Sequence, residues 1–226
     1  MEYQINIEYS CSATLNDDCE DLIQKITGRI IARSSSSGEE DKQEIGKIEL
    51  IYIDVVSAEE DDINLFTLFD LEAGMGDYCY PLYDLDEYDW SKRVYESLED
   101  HLTNLNLLII HRVKLLPKFR GQKIGLLAIR RSIQQFGNGC GLVCLIAKPY
   151  QVELSEKDSM NPGDYEKYGL SQFAEDKSTA TRQLETYYKK MGFIPLRKRN
   201  LMALNLAKIF PSMKQLGASY EGPFQI

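Results

Sequence analysis

The sequence predicts a mixed α/β fold, and three observations carry that reading. Residues 107–206 run strand, helix, strand, helix, strand; Ile45–Val56 alternates with period two; Gly125–Phe136 repeats with helical period. Leu107–Leu115 is rich in branched aliphatics and reads as a strand. In Gly125–Phe136, Ile129, Ile133 and Phe136 share a stripe from which Arg130, Arg131, Gln134 and Gln135 are excluded. Gly137-Asn138-Gly139 stops that helix. Gly141–Ala147 is almost wholly apolar, as a strand at a sheet centre should be. Thr181–Met191 is a second helix with Leu184, Tyr187, Tyr188 and Met191 on one face, ended by Gly192. Phe193–Leu196 and Leu201–Leu206 follow as strands around the basic turn Arg197–Asn200. This order predicts a core with helices on one face.

Upstream, Gln4–Tyr9 reads as a strand, and Leu22–Ala32 fits helix or strand through Ile23, Ile26, Ile30 and Ile31. Ser34–Gly38 is a turn. Ile45–Val56 places Ile48, Leu50, Tyr52 and Asp54 on one face and Glu49, Ile51, Ile53 and Val55 on the other, a strand buried on much of both. Glu59–Asp62 is a turn, and Asn64–Leu71 and Trp90–Leu98 are short helices. Pro149–Lys177 is a polar insertion with a turn at Asn161-Pro162-Gly163.

The 226 residues, 43% of them hydrophobic, suffice for one large domain or one domain with an extension. No apolar run reaches the roughly 18–20 residues of a membrane span, and the first residues lack the basic and apolar parts of a signal peptide. The expectation is a cytoplasmic protein with no membrane partner. The five cysteines are odd in number and contain no C-x-x-C, so neither a disulfide framework nor a metal site is expected. Cys140 and Cys144 are read as buried apolar residues on one strand face.

The net charge of −9 argues against a nucleic-acid partner. Its distribution is uneven. Residues 39–100 hold 20 acidic and 4 basic side chains, whereas 111–148 hold 8 basic and no acidic ones. A basic segment inside an acidic chain suits one small polyanion such as a nucleotide phosphate, or else a solvated helix face.

Within that segment, Leu115–Leu126 (LLPKFRGQKIGL) ends a strand, turns and begins a helix. Amides at a helix start lack partners in the helix, and the dipole there favours an anion. Gly121 and Gly125 let a phosphate approach the backbone, with Lys118, Arg120 and Lys123 around it.

This stretch resembles the acetyl-CoA signature of the GNAT superfamily: Arg or Gln, two residues, Gly, one residue, Gly or Ala. Arg120 holds the first place and Gly125 the last, while Lys123 replaces the middle glycine. A second block, Leu184–Phe193, resembles the family's last helix, in which a tyrosine stands four residues before Gly-Phe; Tyr188 holds that place. The asparagine common near the start of that helix is replaced by about Thr181. The two blocks span roughly residues 107–206.

The resemblance implies a largely antiparallel, twisted mixed sheet with a splayed parallel strand pair, Leu107–Leu115 and Gly141–Ala147, flanked by helices. It implies a single domain over 1–226: an N-terminal part (1–106) with acidic acceptor-side elements, an acetyl-CoA-binding core (107–206) and a C-terminal extension (207–226). Acetyl-CoA is the implied cosubstrate, held by Leu115, Arg120, Gly121, Gln122, Lys123, Ile124, Gly125 and Leu126. Its acetyl group passes directly to a primary amine of a small molecule or protein. The backbone N–H near Leu115 meets the thioester oxygen, and Tyr188 meets the sulfur.

A base for the amine proton is needed. His111, four residues before Leu115, is the candidate, and some arylalkylamine N-acetyltransferases place a histidine at the matching point; the alternative is a satisfied histidine with no chemical role. Tyr52 and Asp54 are secondary candidates, and His101 is read as surface. Cys144 lacks an activating neighbour in the sequence and is read as core. The acids and tyrosines of 1–100 and 149–177 (Tyr78, Tyr80, Tyr83, Tyr88, Tyr150, Tyr165 and Tyr168) suit a cationic amine or serve solubility. A homodimer is compatible with all of this. The competing reading is a non-catalytic acyl-CoA-binding or interaction module.

Overall fold

The computed structural model describes residues 2–13, 19–34, 42–98, 102, 104–152, 162–196, 200–217 and 224–225. His101, Asn161, and most of the turns expected at 34–38 and 197–200 lie outside them.

The architecture is mixed α/β. Strands β1 (Glu2–Cys11), β2 (Ile23–Ser34) and β3 (Lys42–Ile53) form an antiparallel meander that continues into β6 (Leu107–Leu115). Beyond it lie β7 (Leu142–Ile146), β9 (Leu201–Asn205) and the two-residue β8 (Ile194–Pro195), while β10 (Phe224–Gln225) pairs with the outer edge of β1. Among the described strands, β6 and β7 are the parallel pair. Strands from both halves of the chain therefore share one sheet.

The ambiguous segment around Leu22–Ala32 is a strand. Its isoleucines mimic helical spacing because both strand faces are covered. Ile26, Ile30 and Ala32 lie on one face, and Ile23 and Ile31 on the other. β3 likewise buries Ile48 and Leu50 on one face and Ile51 and Ile53 on the other.

Helices cover both faces, which corrects the one-sided expectation. On one face lie α5 (Ile124–Phe136) and, after the short α6 (Pro162–Lys167) in the chain, α7 (Lys177–Lys189), with Ile129, Ile133 and Leu184 packed on Leu108, Ile110, Val143 and Leu145. The opposite face carries four short helices from the acidic segment: α1 (Val55–Glu60), α2 (Leu65–Asp70), α3 (Gly76–Leu82) and α4 (Lys92–Leu98). Leu65, Leu68, Phe69, Met75 and Val94 bury themselves there against Ile51, Ile53, Leu107 and Ile109. Each such side chain contributes about 1.5–3 kcal/mol. The acids of this segment stay mostly on the solvent side, so a strongly charged stretch still builds half the core.

Several boundaries differ from expectation for local reasons. The long strand stops at Ile53 because Asp54 turns the chain and caps α1, accepting from the Ser57 amide at 3.1 Å. The expected acidic turn at 59–62 is the end of that helix. Asn64 caps α2. Trp90 belongs to the two-residue strand β5 (Asp89–Trp90), paired with β4 (Tyr83–Asp84), so α4 starts at Lys92. α7 starts at Lys177, four residues earlier than expected, because Asp176 accepts from the Thr179 amide at 2.7 Å; Thr181 is one turn inside and buried. Cys140 precedes β7 and packs on the α5 side, whereas Cys144 packs on the α1–α4 side, so the two do not share a face.

Candidate functional site

β6 and β7 pair over only three residues: Leu107 with Leu142, Leu108 with Val143 and Ile109 with Cys144. β6 then stays with β3 as far as Leu115 while β7 stays with β9, and the two strands part. A cavity of about 940 Å³ occupies the gap. Ile110–Leu115 of β6, Ile146 at the end of β7, Lys148 beyond it, the turn into α5, and parts of α3, α7 and the 149–177 insertion line it.

His111 sits where the strands separate. The β3–β6 register shifts between Glu49 and Leu50, so Arg112 faces Glu49, Ile110 faces Leu50, and His111 is the extra residue of a β-bulge. The bulge reverses the alternation. Val113 and Leu115 return to the α5 side, whereas Arg112 and Lys114 point to the α1–α4 side, so His111 and Leu115 do not share a face as the four-residue spacing suggested. His111 is exposed and lines the cavity. The Leu116 amide donates to Ile45 O at 2.8 Å, so by strand alternation the Val113 and Leu115 amides turn toward the gap.

The turn Leu116–Lys123 is shaped by three constraints. Pro117–Phe119 forms a short 3₁₀ turn that buries Phe119 edge-on to Tyr3, with centroids 5.9 Å apart. Gly121 has φ +79° with open space where a side chain would be. Lys123, at φ +62°, precedes α5 and makes no side-chain cap, whereas Asp54, Asn64 and Asp176 cap α1, α2 and α7. The α5 start, like that of α3, thus lacks the side-chain competitor for its amides that α1, α2 and α7 have. The left-handed conformation explains why glycine suits this place, since it costs other residues about 1–2 kcal/mol. The Lys123 side chain is directed along Gly217 of the C-terminal segment.

Of the residues expected to hold a coenzyme, Leu115, Gly121, Lys123, Ile124, Gly125 and Leu126 line the cavity, and Gln122 does not. The side chains of Ile124 and Leu126 belong to the core, so only their backbone is offered to a ligand. Arg120 lines the cavity but is committed to the protein. Its Nε donates to Leu115 O at 3.1 Å, its guanidinium donates to Tyr168 O, and it stacks 4.5 Å over Phe173. It ties the turn to the insertion, and burial lowers its pKa.

Tyr187, not singled out in the sequence, lies closest to Gly125: a Cβ there would stand 2.5 Å from its hydroxyl. That hydroxyl is hydrogen-bonded to the Leu126 backbone, though burial dominates and raises its pKa. The helical stripe of Leu184, Tyr187, Tyr188 and Met191 was the available signal. Tyr188 also lines the cavity, edge-on to Tyr187 and Phe193, and burial pushes its pKa to about 12. Tyr78 reaches the gap from α3, its hydroxyl bonded to the Ile146 backbone and its pKa raised by burial. Burial likewise pushes the Cys144 thiol far above its ordinary value, as befits a core residue.

Tyr150 and Tyr168 of the insertion line the cavity on the Lys114 side. Lys114 pairs with Asp164 at 2.9 Å, and Tyr150 donates to the same carboxylate at 2.7 Å. Desolvation opposes ionisation of Asp164, but the hydrogen bonds from Lys114 and Tyr150 outweigh it and lower its pKa. The contribution to stability is complete above the ordinary aspartate value of about 3.9 and is lost as pH falls through the lower folded value. Hydrogen exchange should therefore show 162–172 losing protection below about pH 4. Asp164→Asn should lack that acid step and be about 2 kcal/mol less stable at neutral pH.

The remaining candidates separate by position. Tyr150 and Tyr168 line the cavity with Tyr78. Tyr83 and Tyr88 donate to Leu105 O and Ile63 O within the helical layer, each at 2.8 Å, and Tyr80 and Tyr165 are exposed. Tyr52 accepts from Asn106 Nδ2 at 2.9 Å at the end where β6 begins, and neither it nor the capping Asp54 borders the cavity. The cavity wall is basic: Arg112, Lys114, Lys123, Lys148, Lys177 and Lys190 join Arg120 there, and Asp77 is the carboxylate among the described lining residues. Among the described residues no group of three His, Cys, Asp or Glu is placed to hold a metal, and no helix is long and apolar enough to cross a membrane. Compared with family models, with curated proteins and with solved structures, the chain matches none.

Proposed function

We propose that this protein is an acetyl-CoA-dependent N-acetyltransferase of the GNAT type. The observation that carries the reading is the gap between the parallel strands, which opens beside the uncapped start of α5 and is walled by basic side chains. A coenzyme fits with its pyrophosphate at Gly121–Leu126 and its pantetheine arm between β6 and β7. The inward Leu115 amide then stabilises the oxyanion formed when the amine attacks.

In the transfer, the amine lone pair forms the C–N bond, the C–S bond breaks toward sulfur, and the amine proton passes to His111 or water. Tyr188 donates a hydrogen bond to the departing sulfur. With its pKa near 12, complete proton transfer to a thiolate of ordinary pKa about 8.5 would cost on the order of 5 kcal/mol. Its part is hydrogen bonding, and the proton that neutralises sulfur comes from the amine or solvent. Tyr188→Phe should lower kcat about 10–100-fold with little change in coenzyme affinity; equal rates would remove Tyr188 from the mechanism.

Two contacts favour the second reading, a non-catalytic acyl-CoA-binding or interaction module: Tyr187 on the Leu126 backbone and Arg120 on the insertion. Isothermal titration with acetyl-CoA separates the readings. Micromolar binding with amine-dependent release of coenzyme A supports the transferase. Binding without turnover supports the module, and no binding at millimolar coenzyme refutes both forms of the cofactor site.

A further inference from the structure

Strands that part leave backbone groups without their sheet partners, and β7 loses one at Ile146. The Ala147 amide donates to Asn200 O on the β9 side at 2.9 Å, so by strand alternation the Ile146 amide turns the other way, into the gap. In a parallel pair continued past Ile109–Cys144, a β6 carbonyl would accept from it. Tyr78 takes that place. Met75, Tyr78, Cys79 and Leu82 recur at helical spacing and are buried in one cluster with Ile109 and Cys144, the last paired residues. This stripe sends the Tyr78 ring from α3 to the point where the strands separate, and its hydroxyl oxygen accepts from the Ile146 amide. The oxygen therefore lies between the strands.

A hydroxyl that accepts one bond keeps its own proton to donate. Among the described residues no acceptor holds that proton. Burial, and after it the nearness of Cys144, Asp77 and Tyr188, raises the Tyr78 pKa, and the Ile146 bond opposes this only in part. Tyr78 stays protonated at any working pH and is a donor, not a base. Tyr188 lines the same gap from α7, on the opposite face of the sheet, within electrostatic range of Tyr78.

We propose that Tyr78 is a catalytic residue, its hydroxyl donating to the thioester carbonyl oxygen from the β7 wall while an inward β6 amide donates from the other. The oxyanion formed by amine attack then has two donors on opposite sides of the gap. The Ile146 amide polarises the hydroxyl and strengthens its bond to the developing negative charge. No proton leaves Tyr78: the C–N bond forms, the C–S bond breaks toward sulfur, and the amine proton goes to His111 or water. The inference rests on the transferase reading and adds a second oxyanion donor to it.

The test is infrared spectroscopy of bound acetyl-CoA isotopically labelled at the thioester carbonyl carbon, which reads the polarisation of that bond without an acceptor amine. Binding to the parent protein should move the carbonyl band to lower frequency than in water. Tyr78→Phe should return most of that shift and leave coenzyme A affinity unchanged, because coenzyme A has no carbonyl at this point. The variant leaves the Ile146 amide unpaired; if it does not fold, 3-fluorotyrosine at position 78 keeps the ring and its bonds. Its more acidic hydroxyl should move the band further down. A band that neither replacement moves, with acetyl-CoA bound, overturns this inference alone. Absence of acetyl-CoA binding to the parent overturns it together with the transferase reading.

Discussion

Gly125→Trp is expected to abolish the proposed coenzyme binding, with a loss of more than 100-fold in titration against acetyl-CoA. Gly125 is buried at the first turn of α5, and even a Cβ would stand 2.5 Å from the Tyr187 hydroxyl and 3.7 Å from Leu115 Cδ1. The nearest clash is with the far end of a side chain, so the fold can yield there, whereas the proposed phosphate site at the backbone cannot. An indole would occupy the space between α5, α7 and β6 that the proposed site gives to the pantetheine arm. The melting transition should remain cooperative; if it does not, Gly125→Val makes the same test with less volume. Unchanged affinity in a folded variant would eliminate the proposed site.

Gly141→Ala is the most damaging small substitution expected for stability. Gly141 enters β7 just before the parallel pairing, its amide donating to Asn106 O at 3.0 Å. A Cβ there would lie 2.0 Å from the Asn104 carbonyl oxygen, and backbone cannot swing aside as a tyrosine ring can. Relieving the clash means shifting the 104–106 segment, which carries the buried Asn106. Its side chain accepts from the Val56 amide at 2.9 Å and donates to Tyr52. Loss of about 3 kcal/mol or more is expected, read as a fall in Tm of roughly 6–12 °C for a chain of this size. A variant as stable as the parent would show that this junction tolerates movement, and the register of β6 and β7 would not depend on it.

Much of the sheet is legible in the sequence because strand and helix periods are local properties. The runs at Ile45–Val56, Leu107–Leu115 and Gly141–Ala147 and the stripe on Gly125–Phe136 need only neighbours along the chain to be read. The turn at Leu115–Leu126 is legible for the same reason, since its glycines and its position between strand and helix are contiguous. Segments buried on two sides were less clear. Leu22–Ala32 looked half-helical because isoleucines on both strand faces erase a clean period of two, and the acidic 55–98 stretch showed α2 and α4 but hid α1 and α3, whose apolar residues recur too briefly to form a pattern.

What the sequence by itself determined is the order of elements, the apolar centre of the sheet and the glycine-bearing turn at the start of α5. What only the tertiary structure decided is which side chains meet. A single bulge, set by pairing with β3, separates His111 from Leu115 although four residues of simple alternation would join them. Arg120 pairs with a carbonyl 48 residues away instead of standing free at the turn. Tyr187 covers Gly125 because two helices distant in sequence pack on the same face. The acids that dominate the composition turn to solvent while a handful of basic residues line the cavity. Each of these depends on through-space packing and strand register, and a one-dimensional pattern holds no information about either until distant segments are brought together.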